Sequence, residues 1–441
     1  MKRRKPGVAL LVAAFALGGW GGPARSAPLD PRTVKSSTLP SGLVLVVCEQ
    51  PAAEVVAVEV MVGVGSADEP PELAGAAHLL EHVCWASGGG GDARKRIEER
   101  GGATNAGTLR DYTRYYATVA ADDFPMAVQA LGEIVLRPRL EDPVIEQERR
   151  AIIEEVAARG DRARTWLNDL AFAAVFGEGH SYARPIEGSE STLAGIQAHQ
   201  LAGFHDTWYV PNNMAVVVAG EVTFESALRE VETAFGGLRP QALPPRGRGE
   251  AVRPAAGKEV IVVAPGKQAY VMAAFVGPAA GERTEVATSD VLSVLLSYGC
   301  LGRLSGELVE VRKLATRVGV DFLTQREPAL FGVWAVCETG NVAAVKEAIR
   351  GELQRLASEP IPPGELALAK RLVYAGYCFA NETPADCAST LAFYQAVDSY
   401  RAGTQYPARV GAITAGDIAR VAAWYAGEPV WVVLMPEESA P

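Results

Sequence analysis

Residues 70–91 read "PPELAGAAHLLEHVCWASGGGG", and this stretch carries most of the chemistry in the chain. Pro71 suits a first helical turn and the glycine run suits a helix end, so the sequence predicts a helix across the histidines. His78 and His82 then lie one turn apart on one face, where two imidazoles can reach the same metal ion. Glu81 lies close enough to face a water on that ion without binding the ion itself.

The H-x-x-E-H order inside this helix favours a metal site over a structural pair of histidines. Two histidines four residues apart are ordinarily surface or core side chains, but this inverted zincin order is a pattern of zinc peptidases. A catalytic zinc has three protein ligands and an open position for water, so the motif requires a third ligand from elsewhere. Cys84 is predicted to point away from the site.

The segment "DPVIEQERRAIIEEVAARGD", residues 142–161, supplies carboxylates for the third position. Asp142 suits a helix N-cap, and the glycine near its end suits a helix stop. At about 100° per residue, Glu148 and Glu155 fall on one edge of the apolar stripe, whereas Glu154 faces water. One of the two can bind the metal while the other supports a ligand, and helical phase alone leaves their order open.

The start of the chain predicts export. Residues 1–26 combine a basic start, an apolar run and small residues, which is the layout of a secretory signal peptide. Cleavage after Ser26 is predicted, and it implies a periplasmic or secreted protein. A membrane anchor is the rival interpretation, but the apolar run is shorter than the roughly 20 residues of a bilayer span.

The net charge of the chain limits the kinds of molecule that it is expected to bind. The formal charge of the whole chain is −10, and removal of residues 1–26 takes away five basic residues and no acid, which gives −15. A protein this acidic is not expected to bind nucleic acid or an anionic membrane surface, and basic partners are mildly favoured.

The chain has 441 residues, of which 49% are hydrophobic, enough for two or three domains with sizeable cores. Apolar runs typical of strands alternate with longer helical patterns, which predicts mixed α and β structure. A stretch rich in Pro, Gly and Arg at residues 239–258 is predicted to be a linker between residues 27–238 and 259–441. Both halves open with paired strand signals, continue into helices and end on a strand, which predicts two related domains.

The cysteines and the other three histidines are predicted to be structural or solvated. The six cysteines lack C-x-x-C spacing and form neither a metal ribbon nor a disulfide framework. Cys378 and Cys387 are the nearest pair in sequence, and an oxidising compartment would permit a bridge, but buried free thiols are the favoured interpretation. His180 is predicted to be structural, whereas His199 and His205 lie in a polar helical stretch and are predicted to be solvated.

The pairing of "HLLEH" with "ERRAIIEE" resembles the pitrilysin or insulinase family of zinc metallopeptidases. Further similar stretches run through the N-terminal half, a looser one lies in the C-terminal half, and together they cover about the whole mature chain. They read "LPSGLVLVV", "GSADEPPELAGAAHLLEH", "GGATNAGTLRDYTRYYATV", "GHSYARPIEGSEST", "WYVPNNMAVVVAGEVTFESALREVETAFGG" and "YGCLGRLSGELVEVRKLATRVGV". The connection from His82 to Glu155 is a few residues shorter than is usual in the family.

The resemblance implies an α+β fold of two related domains of about equal size, each a mostly antiparallel sheet with helices packed on it. It implies one Zn²⁺ per chain, held by His78, His82 and Glu155. Glu148 then supports one of these ligands without binding the metal itself. Glu81 is then the general base for a zinc-activated water, and the reaction is endoproteolytic hydrolysis of peptides or unfolded segments.

The resemblance also implies where substrate binds. In this family an edge strand near the metal pairs with the extended substrate, and the "NA" of "GGATNAGT" matches its signature. Asn105 and Ala106 are therefore the implied substrate-binding residues. The alternative for Asn105 is a turn residue beside Gly107.

An arginine and a tyrosine from the C-terminal half complete the active site in some members of the family. Val309 and Thr316 stand at those two positions in "LVEVRKLATRVGV", so both groups are missing. Bacterial relatives often divide the metal motif and the arginine–tyrosine pair between two chains. The resemblance thus implies a homologous subunit that supplies the pair in a heterodimer, with a homodimer as the alternative.

Two other functions remain open. A non-catalytic scaffold or assembly subunit of the same fold would not need four converging polar groups, so the set His78, Glu81, His82 and Glu155 favours the enzyme. A non-haem iron oxygenase fits two histidines and one carboxylate but gives Glu81 no role.

Overall fold

The computed structural model describes residues 29–157, 163–246 and 257–437. The predicted signal peptide, residues 1–26, and the middle of the predicted linker, residues 247–256, lie outside the described residues. The described chain forms two β-sheets with helices packed on their faces.

The N-terminal half contributes one six-stranded sheet. Its strands are β1 (Val34–Thr38), β2 (Val44–Glu49), β3 (Val55–Val62), β4 (Ala103–Thr108), β5 (Thr113–Ala120) and β6 (Met214–Gly220). Their order is β1-β2-β6-β3-β5-β4, with β2 and β6 parallel and all other neighbours antiparallel. The central strands form nearly continuous runs of apolar residues because both faces of the sheet are covered.

The C-terminal half contributes a five-stranded sheet. Its strands are β7 (Glu259–Ala264), β8 (Ala269–Val276), β9 (Ala315–Phe322), β10 (Leu330–Cys337) and β11 (Val430–Pro436). Their order is β7-β11-β8-β10-β9, with β7 and β11 parallel and the other pairs antiparallel. The five strands β2 to β6 of the N-terminal sheet follow the same pattern. If the strands of each set are numbered 1 to 5 along the chain, both sheets have the order 1-5-2-4-3. This shared order confirms the predicted α+β fold with two related sheets.

Helices fill the connections between the strands. Those of the N-terminal half are α1 (Ala76–Ser87), α2 (Asp92–Glu99), α3 (Phe124–Leu136), α4 (Asp142–Ala157), α5 (Ala163–Phe176), α6 (Glu190–Gly195), α7 (Ala198–Trp208) and α8 (Phe224–Phe235). Those of the C-terminal half are α9 (Arg283–Ser297), α10 (Arg303–Ser305), α11 (Val342–Ser358), α12 (Pro363–Phe379), α13 (Pro384–Val397), α14 (Tyr400–Ala412) and α15 (Ala415–Tyr425). In the described part of the chain, no helix combines the length and the apolar composition of a membrane span.

Each sheet is covered on one face by a helix from the opposite half. α13 packs on the N-terminal sheet against β3 and β6, whereas α5 packs on the C-terminal sheet against β8 and β11. On β2, Leu45 and Val47 face the helices of their own half, while Val46 and Cys48 face a core shared with the C-terminal half. Met272 of β8 faces the core that contains α5. The two halves therefore bury apolar surface against one another over both sheets.

The start of the predicted linker, residues 239–246, is anchored to the N-terminal half. Arg246 donates to Oδ1 of Asn213 at 2.9 Å and forms an ion pair with Asp68 at 3.7 Å. Asp68 also lies 3.8 Å from Arg326 of the C-terminal half. These contacts fix the linker and the C-terminal half against the loop that leads to α1.

Candidate metal centre

α1, which carries the histidines, begins later than the sequence predicts. Pro71 belongs to a separate 3₁₀ turn, Pro71–Leu73, and the α-helix starts at Ala76 after Gly75. Gly75 has a φ of 97°, in the left-handed region that favours glycine, and a Cβ there would lie 2.7 Å from the carbonyl oxygen of Glu187. The chain therefore turns sharply before the helix, and this turn separates Pro71 from it.

Glu69, which no sequence motif marks, caps the N-terminus of α1. The residue is 4% exposed, and its carboxylate accepts the N–H of Gly75 at 2.9 Å and the N–H of Ala77 at 2.7 Å. An α-helix leaves its first N–H groups without intrahelical partners, and a carboxylate there also suits the helix dipole. Burial raises the pKa of Glu69, while the two N–H donors oppose that rise. Because the 3₁₀ turn separates Glu69 from the helix, no simple capping spacing reveals it.

We expect Glu69→Ala to lower the free energy of unfolding by about 2–4 kcal/mol. Two buried N–H groups lose their acceptor, and each unmet group costs about 1–3 kcal/mol. Glu69→Gln keeps one acceptor oxygen and is expected to cost less. Urea unfolding followed by circular dichroism measures the difference, with Glu72→Ala as the control because Glu72 is exposed in the same segment. Equal stabilities of Glu69→Ala and Glu72→Ala would contradict the capping role.

His78 and His82 on α1 converge with Glu155 on α4. One ligand atom from each residue lies within 4.8 Å of the other two, and no second such group of His, Cys, Asp or Glu occurs among the described residues. The two imidazole centroids are 4.7 Å apart, with the ring planes at 85°. Zinc holds nitrogen and oxygen ligands at about 2.0–2.2 Å, so small side-chain rotations bring the three atoms onto one ion. Two imidazoles and one carboxylate are a donor set that suits zinc.

Glu148 contacts the imidazole of His82. Its Oε2 lies 3.3 Å from Nδ1 of His82, and both side chains are largely buried. When Nδ1–H donates to this carboxylate, the lone pair of Nε2 is left to bind a metal. Gln147 donates to the other oxygen of Glu148 at 3.1 Å. The structure thus places Glu155 with the two histidines and Glu148 beside His82, whereas Glu154 is exposed.

Replacement of Glu148 tests this support. We expect Glu148→Gln to weaken zinc affinity about 10–100-fold, because the amide cannot accept the Nδ1–H of His82 as strongly or fix its ring orientation. Competition with a chromogenic chelator measures the affinity. Glu154→Gln is the matched control, since it makes the same change on the exposed face of the same helix. Identical affinities of the two variants would exclude the role of Glu148.

Glu81 lies on α1 between the two histidines. The residue is 7% exposed, and its Oε2 lies 3.8 Å from Nε2 of His78. Its position beside the ligand group, without being part of it, suits a base that accepts a proton from a water at the open metal position.

Cys84 lies in the apolar core below α1. It is fully buried, and burial raises the pKa of its thiol to about 12. Tyr115, which is also buried, lies beside this thiol, and its hydroxyl is 2.9 Å from that of Tyr209. Cys84 is therefore a protonated core thiol and does not belong to the ligand group.

β4 forms an open edge of the N-terminal sheet beside α1. It pairs with β5 on one side and ends the strand order on the other. Asn105 is exposed, whereas Ala106 is half-buried and packs against the core beneath α1. The alternative that Asn105 is a turn residue is wrong, because it lies within β4 opposite Tyr116. Thr108 of the same strand donates to the carbonyl of Ala77 at 3.5 Å, which ties β4 to α1.

The C-terminal half places neither an arginine nor a tyrosine at the two positions considered. Val309 lies in a π-helical turn, Gly306–Val311, that follows α10. Thr316 lies on the edge strand β9, where its hydroxyl donates to the carbonyl of Val336 at 3.2 Å. Neither side chain can supply a cation or a phenol to a reaction.

The other histidines serve different purposes. His180 is buried, and its Nδ1 accepts the N–H of Tyr182 at 3.1 Å, which is a structural contact. His199 is exposed. The prediction that His205 is solvated is wrong, because its Nε2 lies 2.9 Å from the carbonyl oxygen of Val135. The side of α7 that carries His205 faces the C-terminal end of α3.

Two protein-family models match most of the described chain. Residues 44–189 match the family model described as Insulinase (Peptidase family M16), and residues 195–373 match the one described as Peptidase M16 inactive domain. An uncharacterized zinc protease of Mycobacterium bovis is 32% identical over 369 residues, which cover 81% of this chain and 83% of that protein.

A second curated protein is similar in sequence, and a solved structure is similar in fold. An uncharacterized zinc protease of Streptomyces coelicolor is 32% identical over 351 residues, which cover 76% of this chain and 75% of that protein. The crystal structure of a protease from Helicobacter pylori has a TM-score of 0.84 at 24% identity, over 92% of this chain and 99% of that chain. The chain therefore belongs to the insulinase family of peptidases, family M16.

Proposed function

We propose that this protein is an exported zinc-dependent endopeptidase, or the catalytic subunit of one, that hydrolyses peptides or unfolded segments. The observation that carries the proposal is the convergence of His78, His82 and Glu155 beside Glu81. A pure scaffold has no physical need for four polar groups at one point. Relatives that bear the name zinc protease support the same chemistry.

The residues of the chain have separate roles in this reaction. A zinc ion held by His78, His82 and Glu155 would supply a Lewis acid that polarises the scissile carbonyl and acidifies a water. Glu81 accepts the proton of the attacking water and returns it to the leaving amine. Glu148 holds His82 in the orientation that presents its Nε2.

β4 suits the binding of an extended peptide beside this centre. An edge strand can pair with a peptide through main-chain hydrogen bonds, and Asn105 is exposed on this edge. Recognition of the main chain selects extended segments more than particular sequences. A charge of −15 after signal-peptide removal mildly favours basic substrates.

We further propose that a homologous subunit completes the active site. Val309 and Thr316 supply neither an arginine nor a tyrosine, so a second chain would have to bring both. A homodimer would join two metal centres without adding either group, which favours a heterodimer.

Metal analysis and cleavage assays test the proposed function. We expect the purified protein to hold one zinc per chain and to cleave an unfolded peptide in the presence of its partner. Chelation should remove both the metal and the activity, and added zinc should restore them. A wild-type protein without stoichiometric metal would instead indicate a scaffold, and iron with oxygen-dependent turnover would indicate an oxygenase.

Two simpler measurements test the partner and the export. Full activity of the chain alone, unchanged by any candidate partner, would contradict the heterodimer. N-terminal sequencing of protein recovered from the periplasm or the medium should begin at Ala27, and recovery with an intact Met1 would contradict cleavage after Ser26.

A further inference from the structure

Two cysteines from opposite halves of the chain meet in the shared core. Cys48 lies on β2, and Cys387 lies in the first turn of α13, the helix that crosses onto the N-terminal sheet. Each residue is 2% exposed, and both belong to the same apolar cluster. The fold thus joins two thiols that are 339 residues apart in sequence.

The two thiols share a polar neighbour, Gln50. Gln50 Nε2 donates to Sγ of Cys387 at 3.1 Å and lies 3.8 Å from Sγ of Cys48. The Cys387 thiol donates to the carbonyl oxygen of Asn381 at 3.3 Å, and the proximity of Cys387 to Cys48 lowers the pKa of Cys48. The proximity of Cys48, together with burial, raises the pKa of Cys387. Cys48 is therefore the thiol that more readily becomes the nucleophilic thiolate.

The pair differs from the one that sequence proximity favours. Cys378 lies on α12, and its thiol contacts Tyr374. Cys84 lies in the separate core beneath α1, and Cys300 is exposed. The described structure thus brings Cys387 against Cys48 while Cys378 contacts a different side chain.

We propose that Cys48 and Cys387 form a disulfide that joins the two halves when the protein meets a disulfide oxidant. The Cys48 thiolate attacks one sulfur of a small disulfide such as oxidised glutathione, which forms a mixed disulfide and releases one glutathione. Cys387 then loses its proton and attacks the Cys48 sulfur, which closes the protein bond and releases the second glutathione. Two protein thiols are oxidised by two electrons, and one glutathione disulfide is reduced to two thiols.

Burial makes this reaction depend on local opening. Both residues are buried and Cys387 belongs to the N-terminal turn of α13, so we expect an oxidant to reach the thiols when that turn opens. Once formed, the bond holds α13 on β2 and closes a very long loop, which restricts the unfolded chain. The oxidising compartment implied by the predicted export favours the bond, but the proposal does not depend on the catalytic role.

Thiol titration of the full chain tests the proposal. The test uses the Cys300→Ser protein, because the exposed Cys300 would otherwise react with the oxidant. This variant retains five cysteines. The reduced protein is incubated with oxidised glutathione a few degrees below its unfolding midpoint, and its thiols are then counted in denaturant. We expect the count to fall from five to three, and peptide mapping should join Cys48 to Cys387.

Serine variants and melting curves provide the controls. Addition of Cys48→Ser or Cys387→Ser should abolish the protein disulfide, whereas addition of Cys378→Ser should leave it intact. Oxidation of the Cys300→Ser protein should raise the unfolding midpoint by about 5 °C, and reduction should reverse the rise. Five free thiols after oxidation, a bridge that includes Cys378, or glutathione retained on Cys48 would overturn the proposal.

Discussion

Glu81→Gln is expected to abolish peptide cleavage while the protein keeps its zinc. The amide has nearly the shape of the carboxylate but cannot accept the proton of an attacking water, and loss of a general base costs about 10²–10⁴-fold in rate. Zinc should remain because Glu81 lies beside the three converging ligands without belonging to them. Metal content and the kcat/KM for a fluorogenic unfolded peptide, measured with any required partner, give the two readouts.

The control for this variant is Glu72→Gln, which makes the same chemical change at an exposed position shortly before α1. It should cleave at the wild-type rate. Cleavage by Glu81→Gln at that rate would show that another group serves as the base. Loss of zinc from Glu81→Gln would show that Glu81 helps to bind the metal.

Glu155→Ala is expected to lose zinc almost completely. Its removal leaves two imidazoles one turn apart on a single helix, and a catalytic zinc ordinarily needs three protein ligands. The loss of affinity should exceed the about 10–100-fold expected for Glu148→Gln, because Glu155 would contact the ion directly. Metal analysis after dialysis, followed by titration with zinc, measures both the content and the affinity.

The adjacent residue provides a matched control for Glu155. Glu154→Ala removes a carboxylate from the same turn of α4, but that side chain is exposed and points away from the ligand group. It should bind zinc like the wild type. If Glu155→Ala retained zinc while Glu148→Ala lost it, the roles of the two carboxylates would be the reverse of those that the structure gives.

The residues of the metal centre can be selected from the sequence because helical phase is a local property. Four residues make about one turn, so His78 and His82 share a face wherever the helix lies. On α4 the same periodicity separates the exposed Glu154 from Glu148 and Glu155. Phase does not specify which of these two meets the histidines, because that depends on how α1 and α4 cross.

Contacts between segments that are far apart in sequence could not be predicted from helical phase. Glu69 reaches α1 across a sharp turn at Gly75, and His205 meets a carbonyl on α3 that is 70 residues away. The apolar faces of α5 and α13 predict burial, but they do not specify which sheet receives each helix. Cys48 and Cys387 meet only because α13 crosses to the other half.

The sequences of two edge strands show only a weak strand pattern. β4 reads "ATNAGT" and β9 reads "ATRVGVDF", and both expose part of their length to solvent. Polar residues on exposed positions and glycine within the strand weaken the alternation that predicts a strand. The apolar central strands β2, β3 and β6 stand out because they are covered on both faces.

The crossing of α13 imposes a sequence of events on the synthesis of this protein. The face of the N-terminal sheet that receives it stays uncovered after β6 emerges from the ribosome, until residues 384–397 have followed. At about 5–20 residues per second this interval lasts on the order of 10–30 s, long enough for exposed apolar surface to attract chaperones or to aggregate. The two halves consequently mature together, since the first sheet reaches its native burial only when nearly the whole chain has been made.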